Sequence, residues 1–221
     1  MKTLLNKLIL LCSIVWLTNA SAENEQANQY KVFGHLPMVE LPQVSPDGKH
    51  VVAVLNSDNG PSVVVSGFAS SELSTIVKLK KSQDRIDDLV WLNNERILVY
   101  ASYSKALMGK RFRIHRLFAV NLDGSALKEL KRRHKEDFPD WMVLHSQMFL
   151  TSILKEDKEH ILLSAYDERD EGKAVFKVNI YTNEFSKLFA NKYKVYSWVA
   201  DTKGVVRVGF GYDDNEGKED I

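Results

Sequence analysis

The sequence predicts an all-β chain built from repeated four-stranded antiparallel units, and three observations predict it. Short runs of β-branched and aromatic residues recur from residue 39 onward, separated by glycine, asparagine, aspartate and proline. No long stretch keeps the helical period of 3.6 residues. One segment type, an apolar start followed by a polar turn and an apolar strand, occurs four times.

The composition is that of a globular protein. The chain has 221 residues, of which 44% are hydrophobic and 27% charged. The chain has 30 lysine and arginine residues and 29 aspartate and glutamate residues. No strong electrostatic field therefore indicates binding to nucleic acid or to an acidic membrane surface. The one cysteine, Cys12, excludes an internal disulfide framework and a cysteine-rich zinc site. We expect no nucleic-acid partner and no cofactor.

Residues 1–22 have the pattern of a secretory signal peptide. Lys2 and Lys7 precede an apolar run over residues 8–17, and Ala20-Ser21-Ala22 forms an A-x-A cleavage site. The apolar run is about half the roughly 20 residues that a membrane-spanning helix needs, so an uncleaved anchor is the less favoured alternative. We expect a periplasmic or secreted protein with no stable membrane insertion after signal cleavage.

The repeated segment and a second segment type between its copies indicate β-propeller blades. The four copies run over Val44–Val54, Val90–Tyr100, Ile153–Leu163 and Trp198–Val208. Residues 117–124 resemble residues 175–182 and fall between the copies. Each unit therefore consists of two hairpins, and four-stranded units at a period of about 40 to 50 residues are typical of propellers. A β-sandwich with coincidental spacing is the alternative.

The repeats divide the chain into a polar lead-in with a first strand, residues 23–40, and an incomplete propeller, residues 41–221. The predicted blades span about residues 41–80, 86–130, 148–189 and 195–221, which makes about three and a half four-stranded blades. Because a propeller normally needs about four to eight blades to close its ring, we expect the chain to be the front part of a larger protein.

Four ordered segments resemble a known family. Ser45-Pro46-Asp47-Gly48-Lys49 is a blade turn common in TolB-like and peptidase propellers, and it is followed by residues 116–125, 155–163 and 198–207. Together they resemble the amino-terminal propeller of secreted bacterial prolyl oligopeptidase family serine peptidases, of the dipeptidyl or acylaminoacyl peptidase kind, over roughly residues 33–212. The resemblance implies peptides as substrates and a carboxy-terminal α/β-hydrolase domain, which carries a Ser-Asp-His triad, as the partner.

The hydrolase half of that family is absent from this sequence. No serine lies in a G-x-S-x-G pattern, and Ser66-Gly67 lacks the upstream glycine. We therefore predict no catalytic, cofactor-binding or metal-binding residue here. The predicted role is to gate and support peptide hydrolysis by the missing domain. The alternatives are a free-standing TolB-like periplasmic interaction module and a truncated remnant without function.

Two basic stretches, residues 110–116 and 131–135, are the remaining candidates. Strand alternation places Arg111 and Arg113 on one face of the first stretch, so an exposed cationic strand is expected. We predict Arg111, Arg113 and Arg207 as contacts for a peptide or a partner domain, because arginine binds a carboxylate through two hydrogen bonds. The acidic run over residues 167–171 is expected to be a solvated turn.

Overall fold

Tight turns between short apolar strands arrange the chain into successive antiparallel sheets in the computed structural model. Each sheet is a meander, because hydrogen-bonded neighbours within it follow one another in the sequence. The first three sheets have four strands and the fourth has three. The strands are β1 (Val39–Val44), β2 (His50–Leu55), β3 (Ser62–Gly67), β4 (Leu73–Lys78), β5 (Arg85–Trp91), β6 (Arg96–Leu107), β7 (Lys110–Asn121), β8 (Lys128–Leu130), β9 (Phe149–Ile153), β10 (His160–Asp167), β11 (Gly172–Asn179), β12 (Phe185–Phe189), β13 (Val195–Ala200), β14 (Val206–Asp213) and β15 (Lys218–Asp220).

The structure describes most of the chain after residue 35. The described residues are 36–70, 72–80, 84–133, 142, 144, 147–191, 194–213 and 218–220. The predicted signal peptide and most of the predicted lead-in lie outside them. In these ranges, no helix combines the length and the apolar character needed to cross a membrane.

A side-chain oxygen closes the first turn of every sheet, which explains why the polar turn recurs in the sequence. In the fourth sheet, Asp201 Oδ1 accepts hydrogen bonds from the backbone N–H groups of Lys203 and Val205, both at 2.9 Å. Such Asx-type bonds replace backbone partners that the turn would otherwise lack. Oxygens of Asp47, Asn93 and Asp157 do the same in the first three sheets.

Alternating side chains of the second sheet join it to both neighbouring sheets. Ile97 and Val99 belong to a buried apolar cluster shared with the first sheet. Leu98, between them, belongs to a cluster shared with the third sheet. Face-to-face stacking of four-stranded meanders is the arrangement of propeller blades. The predicted all-β partial propeller is confirmed, with three four-stranded sheets, a three-stranded fourth, and no closed sheet among the described residues.

The first turns of the second, third and fourth sheets lie side by side at one end of the strands. Asn93 Nδ2 donates to the carbonyl of Lys158 at 3.5 Å, so the first turns of the second and third sheets are adjacent. A Cβ added at Gly204 would lie 2.2 Å from Leu154 Cδ2, which places the first turn of the fourth sheet beside them. We call this end the first-turn edge, and the end with residues 108–109 and 168–171 the second-turn edge.

The hairpin of β6 and β7 extends beyond its own sheet. Both strands have 12 residues, but β5 pairs with β6 only as far as Ser102 and β8 pairs with β7 only from Leu117. Residues 103–114 therefore form a two-stranded ribbon at the second-turn edge, closed by Met108 and Gly109 with φ of 50° and 73°. Two consecutive positive φ angles are typical of a type I′ turn, which suits the right-handed twist of a hairpin.

Candidate functional site

Two neighbouring grooves between the second and third sheets form the candidate site. Residues 131–133, which we call the strap, follow β8 and line both grooves. The ribbon groove has a volume of about 840 Å³ and is also lined by Tyr103, Ile114 and Arg116. The third-sheet groove has a volume of about 740 Å³ and is also lined by Phe176, Phe185 and Lys187.

The strap is held to the third sheet at two points. Asn183 Oδ1 accepts from the N–H of Lys131 at 2.8 Å, and Asn183 Nδ2 donates to the carbonyl of Lys131 at 2.9 Å. The Arg132 guanidinium donates to the carbonyl of Tyr166, forms an ion pair with Asp167 at 3.1 Å, and lies 4.7 Å above the Phe176 ring. These contacts fix the wall that the two grooves share.

Asp167 is buried, with only 1% of its side chain exposed, so the expectation of a solvated turn is wrong for this residue. Its carboxylate accepts from Lys187 Nζ at 2.8 Å and from the N–H of Arg169 at 2.9 Å. Burial by itself raises the pKa of Asp167, but these donors and the Arg132 charge outweigh it and hold the pKa below its usual value. The carboxylate is buried because two cations distant in sequence converge on it.

The cations of the ribbon groove differ in whether they have a partner. Arg116 binds Glu129 through two hydrogen bonds of 2.8 Å, and this pairing lowers the pKa of Glu129. Lys131 and Arg133 are exposed, and neither forms an ion pair with a carboxylate among the described residues, although the Lys131 charge contributes to the lowered pKa of Glu129. The strap therefore brings available positive charge to the groove, where a carboxylate ligand would find donors.

The structure brings together two of the three predicted contact residues. Arg111 and Arg113 are exposed on the ribbon, and Arg113 Nη1 donates to Ser102 Oγ at 3.0 Å. Arg207 lies at the first-turn edge, at the opposite end of the strands, because it follows the first turn of its sheet. It binds Asp201 at 2.9 and 2.8 Å. Arg207 therefore shares no site with Arg111 and Arg113.

Sequence reasoning noted the basic run that contains Lys131 and Arg133 but did not assign it to a site. The signal was three consecutive cations directly after a strand-forming segment. The missing information was the contact with Asn183, which lies 52 residues further along the chain.

The described residues hold no obvious catalytic or metal centre. No hydrogen bond joins a serine hydroxyl to a histidine ring among them. His160 Nδ1 instead lies 2.9 Å from Asp157 Oδ1 at the first-turn edge, and His115 Nδ1 lies 3.5 Å from Asp87 Oδ2. In the same part of the chain, no three potential metal-ligating side chains lie together.

Comparison with known proteins found similarity to solved structures only. No family model and no curated protein matches the chain. TolB from Acinetobacter baumannii is 12% identical with a TM-score of 0.43, over 83% of this chain and 43% of that chain. Pyrococcus horikoshii acylaminoacyl peptidase is 14% identical with a TM-score of 0.46, over 73% of this chain and 26% of that chain. The β-propeller domain of the Trilobed protease from Pyrococcus furiosus is 12% identical with a TM-score of 0.36, over 84% of this chain and 71% of that chain.

The chain spans less than half the length of that TolB and of that acylaminoacyl peptidase. The TM-scores are too low to carry an argument about function. The stacked meander sheets of this chain themselves show an all-β partial propeller.

Proposed function

We propose that the chain is the non-catalytic propeller module of a prolyl oligopeptidase-like serine peptidase, in which it admits and holds peptides for a hydrolase domain. The sequence resemblance over roughly residues 33–212 supports the family. The structural observation that carries the proposal is the ribbon groove of about 840 Å³, to which the strap brings Lys131 and Arg133, neither of which forms an ion pair among the described residues.

The groove has the chemistry to hold a peptide by its carboxylate. Charge-assisted hydrogen bonds from lysine and arginine to a carboxylate are worth about 1.5–3 kcal/mol each when they form. Tyr103 and Ile114 add apolar and aromatic surface to the same groove. In this proposal the hydrolase domain supplies the nucleophile, and the residues of this chain bind and orient the substrate. An exported location would follow from the signal peptide.

Peptide hydrolysis by the native product tests the proposal. The product is captured from the exported fraction with an antibody against residues 41–188 and is assayed with short peptides, with and without a serine-directed inhibitor. We expect inhibitor-sensitive hydrolysis. We also expect the double variant Lys131→Gln/Arg133→Gln to raise KM for peptides with a free carboxylate by about tenfold and to leave KM for their amides unchanged.

Lys203→Gln is the matched control, because Lys203 is an exposed lysine at the first-turn edge, away from the strap. It should change neither KM. Hydrolysis that is absent from the captured product would overturn the assignment to a peptidase. An equal KM change for carboxylate and amide peptides would overturn the role of the two strap cations.

The second candidate function is a free-standing interaction module of the TolB kind. The same groove favours it, since binding by Lys131 and Arg133 requires no hydrolase domain. A captured product without peptidase activity that retains a stoichiometric protein partner would support this function.

A further inference from the structure

The turn of the ribbon determines which backbone groups of β7 point away from β6. In a two-residue hairpin the residues that flank the turn, here Leu107 and Lys110, exchange both backbone hydrogen bonds. Hydrogen-bonded and non-hydrogen-bonded pairs alternate along an antiparallel ladder. The N–H and C=O groups of Arg111, Arg113 and His115 therefore point away from β6, toward the outer side of β7.

Contacts at the other end of the hairpin agree with this alternation. The N–H of Leu122 donates to the carbonyl of Glu95 at 3.0 Å, as a hydrogen-bonded pair of the same series should. β8 continues the series on the outer side, where Leu117 lies opposite Leu130. The outward-facing groups of β7 are thus partly used by β8.

Among the described residues, the outer edge of β7 has no paired strand beyond the end of β8. β8 pairs with β7 only over residues 117–119, so no described strand meets the outward groups at residues 111, 113 and 115. An edge of this kind is a ready template for another extended strand. The edge is long enough for three successive hydrogen-bonding positions.

The ribbon groove reaches the inner end of this edge, where residues 114–116 of β7 line it. Ile114 and Arg116 line the groove from one face of β7, and His115 and Leu117 line it from the other. Residues from both faces can line a single groove only where the groove passes around the strand edge. The strap forms the opposite wall, so the groove leaves room for an added chain beside β7.

The charges around the edge select the kind of chain that fits. Lys110, Arg111, Arg113, Lys131 and Arg133 are all exposed, and none forms an ion pair with a carboxylate among the described residues, although the Lys131 charge helps to lower the pKa of Glu129. The carboxylate of Glu129 is already engaged by Arg116, and Asp87 Oδ2 lies 3.5 Å from His115 Nδ1. Among the described residues, this cluster of exposed cations without ion-pair partners favours an acidic ligand.

We infer that the outer edge of β7, from Arg111 to His115, is a strand-addition site for an extended acidic peptide, one end of which enters the ribbon groove beside His115. Backbone hydrogen bonds to residues 111, 113 and 115 supply the register, and acidic side chains of the peptide pair with the ribbon and strap cations. The inference rests on the peptide handling proposed above and names the chemistry and the binding mode of the peptide.

Peptides with alternately methylated backbones test the strand-addition mode. The probe is a short fluorescein-labelled peptide that alternates glutamate and valine, and its binding to the full chain is measured by fluorescence anisotropy. Two derivatives carry N-methyl groups on the odd or on the even residues. Only one set of N–H groups faces β7 in an added strand, so we expect one derivative to lose at least about tenfold in affinity and the other to bind like the parent peptide.

The charge requirement is tested on both partners. A glutamine–valine peptide should bind at least about tenfold more weakly than the acidic one. The double variant Arg111→Gln/Arg113→Gln should weaken binding of the acidic peptide by about tenfold, whereas Lys49→Gln/Lys203→Gln, which removes two exposed lysines at first turns, should not. These substitutions lie on exposed side chains, and the methylated peptides test the unmodified protein.

Four results would overturn the inference. They are equal affinities of the two methylated derivatives, undiminished binding of the glutamine–valine peptide, competition by a single-stranded oligonucleotide as effective as by the acidic peptide, and no binding of the acidic peptide. The third would show a surface that recognises charge alone. If any of them occurs while the captured product still hydrolyses peptides, the docking site fails and the proposed function stands.

Discussion

Arg96 offers the sharpest test of how the sheets are held together, because its side chain is fully buried between the second and third sheets. Its guanidinium donates to Asn121 Oδ1 at 2.6 Å and to the carbonyls of Ala126 and Ile180 at 2.9 and 2.6 Å. The Ile180 carbonyl belongs to the third sheet, so this bond crosses between sheets. We expect Arg96→Met to destabilise the chain strongly.

The size of the effect follows from the acceptors that Arg96 leaves behind. Each buried acceptor without a donor costs about 1–3 kcal/mol, and the Ala119 carbonyl at 3.3 Å is a fourth acceptor. Part of this cost is offset, because the substitution also removes a charge whose burial is unfavourable. Desolvation by burial lowers the pKa of Arg96 for the same reason. Cation–π contact with Tyr181, at 4.2 Å, is lost as well. We expect a net loss of about 3–5 kcal/mol.

Urea unfolding followed by tryptophan fluorescence measures the loss. Arg116→Met is the matched control, because Arg116 is also an arginine of the second sheet but is 43% exposed and forms an ion pair with Glu129 at the surface. Its removal should cost about 0–1 kcal/mol. A free energy of unfolding for Arg96→Met within about 1 kcal/mol of the parent chain would refute the claim that Arg96 links the two sheets.

Two further predictions concern a buried carboxylate and a tight turn. The pKa of Asp167 is below its usual value, so its contribution to stability is present above the unfolded pKa of about 3.9 and is lost as pH falls through the folded pKa. Asp167→Asn should therefore reduce the loss of stability at acidic pH, measured as the free energy of urea unfolding at a series of pH values. An unchanged loss at acidic pH would contradict the Asp167–Lys187 pairing. Gly204→Ala should cost about 1–3 kcal/mol by thermal unfolding, because Gly204 has a φ of 78° and the new Cβ would lie 2.2 Å from Leu154. Gly48 also has a positive φ, of 71°, but a Cβ added there would meet nothing within 4 Å. Gly48→Ala should therefore cost less stability than Gly204→Ala. An equal cost would show that crowding by Leu154 is unimportant.

Local pattern was sufficient to predict the strands and the first turns. The runs of β-branched and aromatic residues over 97–100 and 117–120 were predicted as strands, and they lie in β6 and β7. Asp201 and its counterparts in the other repeats were recognisable as turn residues because their short polar side chains bond to nearby backbone N–H groups. Such bonds join residues only a few positions apart, so both partners can be recognised within one short segment of the sequence.

Long-range contacts of charged residues were not predictable. Arg96 reads as a turn residue, yet it is buried because its acceptor on Ile180 lies 84 residues away. Asp167 reads as part of a solvated acidic run, yet it is buried beside Arg132, which lies 35 residues away. Burial of a charge depends on partners that converge only after the sheets stack, and no local pattern records that convergence.

The length of the ribbon was also missed, for a different reason. The basic stretch over residues 110–116 was predicted as a strand, and β7 contains it. Its partner segment over residues 103–107, Tyr-Ser-Lys-Ala-Leu, gives no regular alternation of apolar and polar residues, so it was not assigned to a strand. Pairing with β7 imposes the strand there, as tertiary context commonly overrides a weak local preference.

The intact mass of the native product tests the central claim, that this chain acts as the propeller module of a peptidase, most directly. The product is captured from the exported fraction with the antibody against residues 41–188, and its mass is compared with that of residues 23–221. We expect a much heavier polypeptide, with room for an α/β-hydrolase domain in the same chain. A stable species with the mass of residues 23–221 and no peptidase activity would contradict it.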